Sequence, residues 1–295
     1  MSRFPKHLTA IALLACALSL GVFGFGHDSA DLLNRLTPGA GGISIAPHKA
    51  IYTLDMVSAN AGAGVSGIRG SMYYEQDDTC DAWTTDQRFT IEYQYPGRRP
   101  IRNVNHYVSW ESHDGTHFEF NSERQENGLT TEHLRGAVNR TKDGKTVAEY
   151  SRPNNLVFPL PEEFYLPVTH TKETLARAQR EELFFNTTVF DGTDADGPTE
   201  MNAVISGKLT PKEIQAKLGS GEKDAVDKAL LTSPAWRVRL AAFPLKDKDS
   251  ATPAYEMDIY LHDNGVVSYA VVDYGVFKVE QRLTGLSTIP GKNCP

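Results

Sequence analysis

The chain is poor in cysteine, in tryptophan and in positive charge. There are three cysteines in 295 residues and no Cys-x-x-Cys pair, which argues against redox exchange and structural zinc. Lys and Arg number 30 against 37 Asp and Glu, a formal net charge of −7. A nucleic-acid binder needs a basic surface to displace counterions. The one dense basic stretch, Arg98-Arg99 with Arg102, reads as a solvated turn. No heptads, no repeats and no Gly-x-Ser-x-Gly, His-Glu-x-x-His or phosphate-loop motif occur. The acid pairs Glu162-Glu163 and Glu181-Glu182 are adjacent and do not converge as acid and base. No catalytic residue, cofactor or metal site is therefore expected. Asp191 to Gly197 is rich in acids, but Thr193 and Ala195 stand where a calcium loop needs ligands. It reads as a solvated turn. His106, His113 and His117 read as exposed strand histidines.

What is present begins with an export pattern. Arg3 and Lys6 precede an uncharged stretch, Leu8 to Phe25. Residues 1–26 read as a signal peptide, with Gly24 and Gly26 before a cut at His27. Two alternatives stay open: lipidation at Cys16 within Leu13-Leu14-Ala15-Cys16, and an uncleaved anchor. All three place the body outside the cytoplasm. Residues 27–47 carry Pro38-Gly-Ala-Gly-Gly and read as a linker. With the leader removed, Cys80 and Cys294 remain. An even cysteine count in an exported chain reads as a disulfide. One closing so long a loop is worth roughly 5 kcal/mol at most. The alternative is two unpaired, half-buried thiols.

Residues 48–295 read as a single, mainly β domain. Trp83, Phe89, Ile91, Tyr93 and Tyr95 share one parity over a long stretch, and Val104, His106, Val108 and Trp110 share another. Asp114-Gly115, Asn127-Gly128, Asp143-Gly144 and Asn264-Gly265 supply hairpin turns, which argues an antiparallel meander. Pro153 to Pro167 breaks the pattern. Thr171 to Glu182 reads as a helix. Thr210-Pro211-Lys212-Glu213 opens a second with a capping box, inside a helical insertion near 210–233. Trp83, Trp110 and Trp236 lie on separate strands. In a strongly curved sheet they would line a ligand cavity; otherwise they fill the core.

His48-Lys-Ala-Ile-Tyr52, Gly70-Ser-Met-Tyr-Tyr-Glu75, Cys80-Asp-Ala-Trp-Thr-Thr-Asp-Gln-Arg88, Trp110-Glu-Ser-His-Asp-Gly115 and Leu166-Pro-Val-Thr-His-Thr171 follow one another in order. Phe190-Asp-Gly192, Asp263-Asn-Gly265, Asp273-Tyr-Gly275 and Cys294 complete the series. In these the chain resembles the EipB-like cell envelope integrity proteins. The resemblance implies a periplasmic protein of Gram-negative bacteria with a role in envelope stress resistance and no known reaction. It implies a long antiparallel sheet curled into a spiral or incomplete barrel, with one or two short helices. It also implies a disulfide between Cys80 and Cys294. Val276 and the segment Thr210 to Ser233 depart from the family pattern. The function expected is non-enzymatic support of the envelope, by binding a lipid, peptide or protein partner in or on the curved sheet. A carrier of lipid or lipoprotein and a hydrolase of envelope material are the alternatives.

Overall fold

The computed structural model describes residues 42–140, 145–221, 225–247 and 250–292. Eight strands come first: β1 (His48–Ala59), β2 (Gly67–Asp78), β3 (Ala82–Gln94), β4 (Ile101–Ser112), β5 (Phe118–Glu126), β6 (Leu129–Arg140), β7 (Thr146–Arg152) and β8 (Leu156–Pro159). Helix α1 (Pro167–Gln179) follows, then β9 (Phe184–Val189), β10 (Thr199–Lys208) and the short α2 (Pro211–Gln215). The chain finishes with β11 (Ala235–Pro244), β12 (Tyr255–His262), β13 (Val267–Asp273) and β14 (Phe277–Thr288).

All fourteen strands form one curled antiparallel sheet in the order β8-β7-β6-β5-β4-β3-β2-β1-β14-β13-β12-β11-β10-β9. The meander expected from the Asx-Gly turns is present. Asn127 and Gly128 both hold positive φ, 51° and 84°, between β5 and β6. Asp143-Gly144 lies outside the described residues. The first strand sits beside the last: β1 pairs with β2 on one side and β14 on the other. The two sheet edges, β8 and β9, are neighbours in sequence, and α1 is the connection between them. The proline-rich stretch expected to interrupt the strands makes β8, a four-residue edge strand ending at Pro159. An edge is where a residue without an N–H is tolerated.

Period-two burial sorts the sheet into two faces. Inward go Ala50, Tyr52 and Leu54 of β1, Phe89, Ile91 and Tyr93 of β3, and Val238, Leu240 and Ala242 of β11. The core falls into three parts: one under β1–β3 and β14, one under β4–β7, and one between α1 and β9–β13. In β4 the inward residues are Tyr107, Ser109 and Glu111. The Val104–His106–Val108–Trp110 parity therefore faces outward.

Helix α1 starts four residues earlier than the sequence pattern implies. Its N-cap residue, Leu166, supplies no side-chain cap. The cap comes from β4 instead. The Glu111 carboxylate accepts from the N–H groups of Val168 (2.8 Å) and Thr169 (2.7 Å) and from the Thr169 hydroxyl (2.6 Å). This satisfies orphan donors at the positive end of the helix dipole. Thr171, the expected cap, bonds back to the Pro167 carbonyl at 3.0 Å. In α2 the expected capping box of Thr210 and Glu213 is formed. The helix is only five residues long, however, and the chain then runs beside β14, where Gly219 donates to the Leu283 carbonyl at 2.9 Å.

Glu111 is buried at 1 % exposure. Its loss strands buried donors, so Glu111→Ala should destabilise the fold by about 2–4 kcal/mol. Glu111→Gln keeps one acceptor and should cost less. Urea unfolding of the three proteins checks this order.

Candidate functional site

Inside the curl lies a cavity of about 80 Å³. Strands β1–β4 give it a polar side through Tyr52, Tyr74, Gln76, Gln87 and Ser109, and β11–β13 an apolar side through Leu240, Met257, Ile259 and Val272. Helix α1 covers it with Val168, Thr171 and Thr174. Its polar groups are largely engaged. Tyr52 donates to the Val267 carbonyl (2.7 Å), Tyr74 to Gln76 Oε1 (2.8 Å) and Gln76 Nε2 to the Thr84 carbonyl (3.1 Å). At roughly 10–15 Å³ per water the cavity holds a handful of waters. Pockets for drug-sized ligands run from about 300 Å³ upward.

The loop Asp191–Gly197, expected to be a solvated turn, is folded inward. Tyr107 donates to the Asp191 carbonyl and Tyr150 to that of Asp194, each at 2.7 Å, and Arg124 reaches the Thr193 carbonyl. Gly192 holds φ 67°, and a Cβ there would lie 2.4 Å from the Phe120 ring. Asp and Gly are the residues that permit the turn, so a turn signal alone does not tell an inward loop from an outward one. Burial, then repulsion from Asp191, pushes the Asp194 carboxyl up to about 7. His170, on α1, is fully buried against Tyr165 and Phe185, and neither ring nitrogen has a hydrogen-bond partner. Burial, then the charge of Arg177, pushes it down to about 3.

Cys80 stands in the β2–β3 turn with φ 76° and is disulfide-bonded. Its expected partner, Cys294, lies outside the described residues. The chain just before that position comes to the same place: Lys292 pairs with Asp77 at 2.6 Å.

The three tryptophans do not converge on the cavity, and none lines it. Trp83 and Trp236 are buried at 6 % and 4 % in the core between α1 and β9–β13, with Lys172 4.6 Å above the Trp83 ring. Trp110 is on the outer face, packed edge-on to His117 at 5.5 Å. His113 and His117 part company across their turn, His113 to Asp78 and His117 to Glu119.

Trp110 belongs to an open cleft of about 510 Å³ on the outer face of β2–β6. One wall is the cross-strand row Glu75–Asp86–Val108–Asn121–Arg135. The other is the row Thr84–Trp110–Glu119. Between them runs the backbone of Thr85, Ser109 and Phe120, with Ser109 and Phe120 buried on the other side of the sheet. Alternation within each strand and pairing between strands thus bring together residues as far apart as Glu75 and Arg135. The signal in the sequence is the shared parity of Val104, His106, Val108 and Trp110 in β4.

The sequence model of the EipB-like family matches residues 39–290. The chain belongs to the EipB-like family. It is 28 % identical over 258 residues to the cell envelope integrity protein EipB of Brucella abortus, covering 86 % of this chain and 88 % of that protein. The crystal structure of a β-barrel-like protein of a domain of unknown function, also from Brucella abortus, superposes with a TM-score of 0.73 at 25 % identity. That match covers 84 % of this EipB-like chain and all of the other.

Two predictions follow from the buried groups. The raised carboxyl of Asp194 adds stability that is full below about pH 3.8 and lost as pH rises through about 7. The lowered imidazole of His170 adds stability that is full above about pH 6.5 and lost as pH falls towards about 3. Each slope reaches at most about 1.4 kcal/mol per pH unit. Asp194→Asn should flatten the loss of melting temperature between pH 4 and 7, and His170→Phe the loss between pH 6 and 4. The expected pairing of Cys80 with Cys294 is tested by Cys80→Ser, Cys294→Ser and the double variant. All three should fall by the same amount, up to about 5 kcal/mol, because either change breaks one bond.

Proposed function

We propose that this protein is a non-enzymatic periplasmic factor that supports cell envelope integrity by holding a partner on the outer face of its sheet. The relative of known role carries envelope integrity in its name and matches most of the chain. Among the described residues no helix is long and apolar enough to cross a membrane. A signal peptide at residues 1–26 and a bond between Cys80 and Cys294 fit the same compartment.

The observation that carries the reading is the contrast between the two spaces. The outer cleft, about 510 Å³, lies within the usual range for binding sites, and the inner cavity, about 80 Å³, well below it. Carriage of a lipid in the interior would need α1 to leave, with loss of the Glu111 cap and of the packing of Val168, Leu175 and Ala178. Docking on the cleft needs no such change.

Cells lacking the protein, complemented with variants and challenged with detergent, test this. Asn121→Arg obstructs the cleft and should fail to restore resistance. Ala270→Val, which narrows the cavity from its apolar side, should restore it. The opposite pattern would place the function inside.

A further inference from the structure

The chemistry of the cleft identifies the class of its occupant. Resting on the reading of the cleft as the working surface, we infer that it binds a short saccharide bearing a carboxylate, with a sugar ring against Trp110 and the carboxylate on Arg135.

Four observations carry this. The acids of the cleft are already engaged by the protein's own basic side chains. Asp86 is bonded by Arg88 (2.6 and 3.0 Å) and His106 (3.1 Å), Glu75 by Lys49 (3.4 Å), and Glu119 by His117 (3.4 Å). A basic peptide therefore finds no unpartnered acid to bind. Each carboxylate still has lone pairs to spare, about four sites per group, and these suit hydroxyl donors.

The strands under the cleft, β2 to β6, all have a paired neighbour on both sides. Their main-chain groups are committed to the ladders, so an extended peptide has no edge to join. The cleft runs across the strands instead, about 19 Å from β2 to β6 at ~4.8 Å per strand. Recognition there falls to side chains alone.

The side chains that remain are an aromatic ring, an amide, a hydroxyl and a guanidinium. Apart from Trp110, only Val108 presents an apolar side chain in the outer rows, too little to hold an acyl chain. Asn121 Oδ1 is taken by His133 Nε2 at 2.8 Å, which leaves its amide nitrogen to donate. An aromatic face beside planar polar groups meets both kinds of surface on a sugar: the C–H face of the ring and its hydroxyl rim.

Arg135 supplies the last element. It is exposed, it is the cleft's one cation among the described residues, and it makes no ion pair there. An unengaged guanidinium beside acids that already have partners is a two-pronged donor for a carboxylate. A neutral sugar would leave it unused.

The test uses the protein purified from the envelope in the form it takes there. The probe is the disaccharide N-acetylglucosaminyl-N-acetylmuramic acid, which has a carboxylate. The comparator is N,N′-diacetylchitobiose, which has none. Trp83 and Trp236 are buried, so a ligand at the cleft changes the emission of Trp110, and calorimetry gives the affinity independently. The expected result is saturable binding of the acidic disaccharide, about tenfold weaker for chitobiose and for Arg135→Ala, and abolished in Trp110→Ala. Both substitutions are on the outer face, and melting curves close to that of the unchanged protein establish that they fold. Asn121→Ala serves as a second variant, with weakened binding expected. Binding that is unaffected by all three substitutions, or equal for both sugars, overturns the assignment, as does no binding at millimolar sugar. In that last case complementation separates the two readings. If Trp110→Ala still fails to restore detergent resistance, the cleft holds another occupant and only the saccharide falls. If it restores resistance, both readings fall.

Discussion

The carboxylate of Glu111 is the point at which a curled sheet becomes a closed interior. A long antiparallel sheet with an apolar inner face needs something to pack in its hollow, and α1 is that element. A helix brought into a hollow carries unsatisfied N–H groups at its start. Here they meet a buried acid from β4, and the chain just before the helix bonds to β9 through Tyr165. One carboxylate thus ties together the two halves of the sheet through the helix between its edges. Burial alone pushes the Glu111 carboxyl up, against the pull of Thr169, Val168 and Lys172. The fold bears that desolvation because the charge is used.

The strand order carries a second consequence. With β1 between β2 and β14, the first and last strands meet at the middle of the sheet, and Lys292 reaches back to Asp77 beside Cys80. The edges fall where the chain is continuous, so the same short segment that links them also covers part of β9. The interior is thereby filled from both directions, by α1 and by the Asp191–Gly197 loop. The larger open space is on the outside, where the rows of β2–β6 form the cleft.

Much of the sheet was legible because alternation and Asx-Gly turns are local properties. The parity of Phe89, Ile91 and Tyr93 marked an inner face correctly, and Thr210 with Glu213 marked a helix start. Distant partners hid the rest. The start of α1 was obscured because its cap lies on β4, far from it in sequence. The inward loop was obscured because its satisfaction comes from Tyr107, Arg124 and Tyr150, on three different strands. Trp110 was found as a candidate for the wrong surface. Its parity with Val104, His106 and Val108 is as regular as that of a core strand, and only the burial of Tyr107 and Glu111 shows which side is in. The cleft joins five strands by register, which no single stretch of sequence displays.

Native-state hydrogen exchange tests the closed interior most directly. If Glu111 and the core packing hold α1 in place, the amides of Leu175 to Gln179 exchange only with the central strands β1 and β14, at the free energy of global unfolding. Exchange of these amides by a separate, lower-energy opening, with β1 and β14 still protected, would show that α1 swings out as a lid. The interior would then be a working site, and the account given for the outer face would be contradicted.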